Sequence, residues 1–163
     1  MENKLCIRNM LLTDWKQVAL IYKQGIDTGN ATFQQNVPTM EEWDKSHLGY
    51  CRLVACLNEE IIGWAALSKV SDRCVYGGVA EVSVYVSTLH TGKKVGTQLL
   101  HTLIKESEAN GIWTLQAGIF PENTTSVKLH ENSGFRIVGR REKIGKMNSV
   151  WRDTLLLERR SGI

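Results

Sequence analysis

The sequence predicts an α/β protein, a mixed sheet flanked by helices in the order β-α-α-β-β-β-α-β-α-β-β. Three observations carry this. Residues 79–86 (VAEVSVYV) form a β-branched-rich run bounded by Gly77-Gly78 and a later glycine turn, the strongest strand signal in the chain. Val95, Leu99, Leu100, Leu103 and Ile104 then recur at helical spacing up to an Asn110-Gly111 stop. Strand-like and helix-like segments alternate along the rest, without an internal repeat or a low-complexity tract.

Taken in order, Leu5-Cys6-Ile7 reads as a short strand. A helix follows, with Thr13 as N-cap, Asp14 at the positive end of the dipole, and Trp15, Val18, Ala19, Tyr22 and Ile26 as its apolar stripe. It ends near Gly29, ahead of the loop Asn30-Ala31-Thr32-Phe33. Thr39 with Glu42 three residues on is a capping box and starts a short helix. Residues 51–57 and 61–68 read as a hairpin about Asn58-Glu59-Glu60, and 69–78 as a loop. Residues 112–120 form a strand, Ser126 to His130 lie on a helix ended by Gly134, and 135–139 and 151–157 complete the strands.

Composition bounds the class. A chain of 163 residues fits one domain, 1–163. A net charge of +3 is too small to argue for nucleic-acid binding. No apolar run approaches the roughly 20 residues of a membrane span, and the N-terminus lacks a signal-like apolar stretch. The expectation is a cytoplasmic protein with neither nucleic acid nor membrane as partner. Cys6, Cys51, Cys56 and Cys74 form no C-x-x-C pair, so no metal is expected. Cys51 and Cys56, an odd number of positions apart on one strand, point to opposite faces, and the cysteines are read as buried or half-buried free thiols.

The segment that carries chemistry is Thr91-Gly92-Lys93-Lys94-Val95-Gly96-Thr97, between the strong strand and the clean helix. A helix N-terminus has unpaired N–H groups and about half a positive charge, and glycine lets the backbone approach a ligand. Two lysines add charge there, so a phosphate or pyrophosphate fits. The spacing is neither that of a Walker A loop nor of a dinucleotide fingerprint.

On these residues the sequence resembles the GNAT superfamily of N-acetyltransferases, whose acetyl-CoA loop reads Gln/Arg-x-x-Gly-x-Gly/Ala. Gly96 matches; Thr91 replaces the Arg or Gln and Lys94 the middle glycine. A second block, Asn123-x-x-Ser126-x-x-Leu129-His130-Glu131-x-x-Gly134-Phe135, is similar to the family's Asn-x-x-Ala-x-x-Leu-Tyr-x-x-x-Gly-Phe segment. Within the superfamily the chain resembles the phosphinothricin and methionine sulfoximine N-acetyltransferases. Ala31-Thr32-Phe33 with Pro38-Thr39, Glu81 to Val86, Ser126 to Glu131 with His130 in place of Tyr, and Trp151-x-Asp153 carry that likeness over about residues 5–158.

The resemblance implies a twisted mixed sheet of six to seven strands, about four helices, and a splayed parallel pair near Val84 and Ala117. It implies acetyl-CoA as co-substrate, no metal, and a homodimer. Backbone groups of Val84, Tyr85 and Val86 would bind pantetheine, the 91–97 turn the pyrophosphate, and Asn123 and Ser126 further parts of the cofactor. Glu81, a carboxylate in an apolar strand, is expected as general base, directly or through water. His130 is expected near the sulfur, as proton donor to the thiolate or as an orienting group. Arg73 would bind a substrate carboxylate, Phe33 and Tyr76 would wall the pocket, and Thr32 and Lys146 are further contacts. The basic stretch 139–150 reads equally as a solvated hairpin, a dimer edge or a phosphate-friendly rim.

The expected reaction is transfer of acetyl from acetyl-CoA to the α-amino group of a small amino-acid analogue, by direct attack with both substrates bound. An acetylated protein would point instead to Cys74. Two other functions stand beside it. One is acetylation of a protein N-terminus, a polyamine or an aminoglycoside; the other is a non-catalytic module that binds CoA thioesters.

Overall fold

The computed structural model describes residues 4–163. Seven strands form one sheet. They are β1 (Leu5–Asn9), β2 (Leu53–Leu57), β3 (Glu60–Lys69), β4 (Val79–Val86), β5 (Thr114–Ile119), β6 (Arg136–Met147) and β7 (Val150–Arg160). Four α-helices accompany them: α1 (Trp15–Asp27), α2 (Met40–Ser46), α3 (Val95–Ala109) and α4 (Thr124–Asn132). The spatial order is β1-β2-β3-β4-β5-β7-β6. Only β4 and β5 run parallel; every other neighbouring pair is antiparallel.

The sheet is covered on both faces. Leu53, Ala55, Ile62 and Leu67 pack with Leu99, Leu100 and Leu103 of α3. Val54, Cys56, Ile61, Trp64 and Ala66 pack with Val18 and Ile21 of α1 and Trp43 of α2 on the other. A strand buried on both faces needs apolar residues without alternation, which is why β3 reads IIGWAAL. On the α1 side Tyr22, Trp64 and Tyr85 form a ring stack, with Trp64–Tyr85 centroids 4.8 Å apart and Tyr22–Tyr85 centroids 5.0 Å apart.

Several local expectations change. Thr13 is not the N-cap of α1: a 3-10 turn, Leu12–Asp14, precedes the helix. Asp14 instead folds back, accepting from the Leu11 N–H at 2.8 Å and pairing with Arg8 at 2.7 Å. The second strand begins at Leu53 rather than at residue 51, because Cys51 sits at φ 57° and breaks the extended run. Cys51 and Cys56 still fall in the two opposite clusters. All four thiols are free, but Cys6 and Cys74 are exposed, not buried. The stretch 139–150 is resolved as the end of β6 and a tight turn into β7. Asn148 and Ser149 both hold positive φ, 50° and 64°, as a two-residue hairpin turn requires.

Gly63 fixes how closely α3 approaches β3. A Cβ there would lie 2.9 Å from Leu99 Cδ1 and 3.0 Å from the Tyr85 carbonyl oxygen. The second contact is backbone and cannot swing away. Gly63→Ala is therefore expected to destabilise the fold by about 1–3 kcal/mol through overpacking. A lowered urea midpoint at unchanged slope checks this.

Candidate active site

The site begins where a ladder stops. β4 and β5 pair at Val79–Thr114, Ala80–Leu115 and Glu81–Gln116, and no further. Both strands continue, β4 to Val86 and β5 to Ile119. β3 holds β4 through Val86, and β7 holds β5 through Ile119. The two strands are thus pulled apart from outside, and the facing backbone groups beyond Glu81 are left without a strand partner. Such groups bond to water or a ligand.

A cavity of about 420 Å³ occupies this gap. Glu81, Val82, Ser83, Val84 and Tyr85 of β4 form one wall, and Ala117, Gly118 and Ile119 of β5 the other. Glu81 aims across the opening: a Cβ on Gly118 would lie 3.5 Å from Glu81 Oε1. Burial raises the Glu81 carboxyl above the ordinary carboxylate value, while the charge of Arg141 and a hydrogen bond with the Gln116 side chain pull it partly back.

His130 closes the far end from α4 and is only 4% exposed. Its Nδ1 lies 2.7 Å from the Ser126 carbonyl oxygen. A carbonyl only accepts, so Nδ1 carries the proton and the neutral ring leaves Nε2 as an acceptor. Burial lowers the His130 pKa and so disfavours the charged ring, against a partial rise from the Ser126 carbonyl. This arrangement leaves no proton on Nε2 to give, so it favours the orienting role over the expected donor role. Asn123 caps α4, accepting from the Ser126 N–H at 3.2 Å, and its side-chain amide donates to the Asn30 carbonyl at 3.2 Å. Asn123 and Ser126 both line the cavity.

The loop 30–34 forms the lid. Thr32 hydrogen-bonds Tyr85, and Phe33 sits edge-on to Phe120, centroids 4.8 Å apart, against Gly145 of β6. A Cβ at Gly145 would lie 2.5 Å from Phe33 Cζ, so only glycine lets the lid close there. Arg152 ties the lid down. It donates to the Gly29 carbonyl and to Asn30 Oδ1, meets Glu122, and lies 3.8 Å over the Phe120 ring.

Val86 leads from the gap to the start of α3, where Gly96 packs beneath it: a Cβ on Gly96 would meet Leu129 Cδ2 at 3.2 Å and Val86 Cγ2 at 3.6 Å. Thr91, Gly92, Lys93 and Lys94 are exposed, and Lys94 provides no side-chain cap. The first intrahelical bond is from the Gln98 N–H to the Lys94 carbonyl, so the amides of Val95, Gly96 and Thr97 lack an intrahelical acceptor, a fit for a pyrophosphate. Lys94 lies at φ 60°, the left-handed region that glycine enters freely. Here a lysine holds that conformation at the position where the family pattern has a glycine.

Not every expected residue joins the site. Arg73 and Tyr76 sit on the exposed β3–β4 loop, where the Arg73 guanidinium packs 5.8 Å from the Tyr76 ring centroid, and neither lines the cavity. Lys146 is turned to the Trp151 ring, 5.8 Å from its centroid. Among the lining residues to which sequence reasoning gave no place in the site are Gln34, Gly118, Phe120, Ile144 and Thr154, and Arg141 figured there only as part of the basic 139–150 stretch. Arg141, Ile144 and Thr154 come from the β6–β7 hairpin, whose irregular register carries no periodic signal.

Parallel strands that part beside an uncapped, glycine-bearing helix start place an open strand edge next to an anion site. The acetyltransferase (GNAT) domain family matches residues 7–156, and the chain belongs to that family. Acetyl-CoA is its co-substrate. The chain is similar to the L-methionine sulfoximine/L-methionine sulfone acetyltransferase of Pseudomonas aeruginosa, 28% identical over 158 residues, 93% of this chain and 92% of that one. It is 30% identical over 151 residues to the phosphinothricin N-acetyltransferase of Streptomyces viridochromogenes, covering 90% of this chain and 82% of the other. A phosphinothricin acetyltransferase from Sinorhizobium meliloti, solved in complex with acetyl-CoA, superimposes with TM-score 0.87 at 27% identity. That match covers 97% of this chain and 89% of the other.

The raised Glu81 value has a consequence for stability. Its carboxyl binds a proton more readily folded than unfolded, so ionised Glu81 costs folding energy at pH above its folded value. The cost vanishes below the ordinary carboxylate range, where both states are protonated. Glu81→Gln is expected to raise the melting temperature at pH 8, with the gain shrinking to nothing as pH falls through that window; melting curves across pH check it.

Proposed function

We propose that the chain transfers the acetyl group of acetyl-CoA to the α-amino group of a small amino-acid analogue of the methionine sulfoximine or phosphinothricin kind. The observation that carries this reading is a small, lidded gap with one partly buried carboxylate, Glu81, facing the opening between β4 and β5. Both named relatives act on such amino acids by their names.

The roles follow from the geometry. The thioester supplies an activated acyl group. Glu81, directly or through water, takes one proton from the ammonium and so exposes the amine lone pair. The freed strand edge of Val84 to Val86 offers N–H groups to pantetheine and to the developing oxyanion. His130 Nε2 accepts a hydrogen bond and orients the amine. The departing sulfur takes the second amine proton, so no separate donor is required. The amine attacks the thioester directly with both substrates bound, and Cys74, exposed on the β3–β4 loop outside the cavity, takes no part.

The same cavity argues against a polyamine or aminoglycoside. Among the described residues lining it, Glu81 is the one carboxylate, whereas a polycation calls for several. The Phe33–Gly145 closure also argues against a protein N-terminus, which needs an open groove. A purely binding module leaves the raised, cavity-facing Glu81 without a purpose. The free thiols fit a reducing, cytoplasmic compartment, and a homodimer is the assembly this reading carries, with edge strand β6 open to a second copy.

Thiol release from acetyl-CoA in the presence of L-methionine sulfoximine is expected, with Glu81→Gln lowering kcat/KM by about 10²–10⁴-fold, the usual weight of a general base. The acid limb of the wild-type profile is expected to be displaced upward from the ordinary carboxylate value, the direction in which burial moves Glu81. Absence of turnover at millimolar L-methionine sulfoximine removes this substrate class.

A further inference from the structure

We infer that Arg141 is the specificity-determining residue of this site, the group that receives the α-carboxylate of the acceptor amino acid. The inference rests on the acetyl-transfer reading above and assigns the one cation that reading leaves without a role.

The β6–β7 hairpin carries six arginines, Arg136, Arg140, Arg141, Arg152, Arg159 and Arg160. Five have acidic partners: Arg136 and Arg160 meet Glu158, Arg140 meets Asp153, Arg152 meets Glu122 and Arg159 meets Glu108. Arg141 alone has no ion pair among the described residues. It is also the one cation among the described residues that line the cavity.

A local irregularity puts it there. Arg140 and Arg141 are consecutive on a strand, so their side chains leave on opposite faces. Asp153 takes Arg140 at 2.7 Å and also accepts from the Lys143 N–H at 2.8 Å. That second bond pins a bulge between Arg141 and Gly145, with Lys143 at φ 47°. The bulge breaks strict alternation, so Arg141 and Ile144 both reach the cavity, as does Thr154, the cross-strand partner of Arg141.

The cavity thus presents one carboxylate and one guanidinium and otherwise neutral residues. An α-amino acid is the complementary ligand: its ammonium belongs at Glu81 and its carboxylate at Arg141. A guanidinium binds a carboxylate with two parallel hydrogen bonds, which fixes orientation as well as charge. Arg73, the arginine that sequence reasoning favours, packs on Tyr76 outside the cavity.

The test compares L-methionine sulfone with its α-carboxamide, which keeps the amine and side chain but lacks the negative charge. Thiol release at saturating acetyl-CoA is measured for wild type, Arg141→Leu and Arg141→Lys. The wild type is expected to favour the acid by about 10–100-fold in kcat/KM, the range of one or two charged hydrogen bonds. Arg141→Leu brings the acid-to-amide ratio close to one, chiefly through KM, and Arg141→Lys falls between. Acetyl-CoA binding heats of both variants match the wild type, and both melt cooperatively.

An acid-to-amide ratio that survives in Arg141→Leu overturns the assignment, as does equal loss on both substrates or loss of acetyl-CoA binding. A wild type that acetylates acid and amide alike removes Arg141 as reader while leaving the acetyltransferase reading intact. A wild type that acetylates neither removes both.

Discussion

The structure depends on the early end of the β4–β5 ladder. Parallel strands that have begun to pair gain by continuing, because each added pair satisfies backbone groups that are otherwise costly to bury. Here pairing ends at Glu81–Gln116 although both strands run on. The reason is competition from outside: β3 engages β4 along residues 80–86, and β7 engages β5 along its full length. The sheet diverges, and the freed edge becomes the binding surface. A carboxylate at the fork, Glu81, then lies in a partly dry place where its charge is costly, and that cost raises its proton affinity toward a useful range.

The surrounding elements keep the fork from collapsing. The Tyr22–Trp64–Tyr85 stack braces β4 against α1. Gly25 permits the contact, since a Cβ there would lie 2.7 Å from the Tyr85 ring. On the opposite side the β6–β7 hairpin and the 30–34 loop meet over the opening, joined by Phe33 against Gly145 and by Arg152. Arg152 is half-buried, with its charge shared between carbonyl, amide, carboxylate and ring partners. The lid is therefore held by a polar latch on an aromatic hinge.

Much of this was legible in the residues. The Thr39–Glu42 capping box forms as read, with both reciprocal bonds in place, and Asn123 caps α4. These signals are local, and local chemistry needs no tertiary knowledge. Thr13 does not cap α1, and Asp14, one residue on, has a tertiary partner in Arg8 that no local pattern announces. The hairpin beyond Gly139 was opaque because its turn uses Asn148-Ser149 instead of Asn-Gly, and its bulge depends on Asp153 from the other strand. Arg141 was hidden for the same reason: a bulge decides which face a side chain takes, and nothing nearby in sequence announces it. Lys94 shows the converse, a departure from the motif at which the chain still takes a left-handed backbone conformation.

The most direct measurement is a crystal structure of the protein with CoA and L-methionine sulfone bound together. The account predicts the CoA sulfur between β4 and β5 beyond the Glu81–Gln116 pair, the pyrophosphate at the start of α3, and the amine within one water of Glu81. A CoA chain lying outside the fork, with β4 and β5 paired past Glu81, would contradict it.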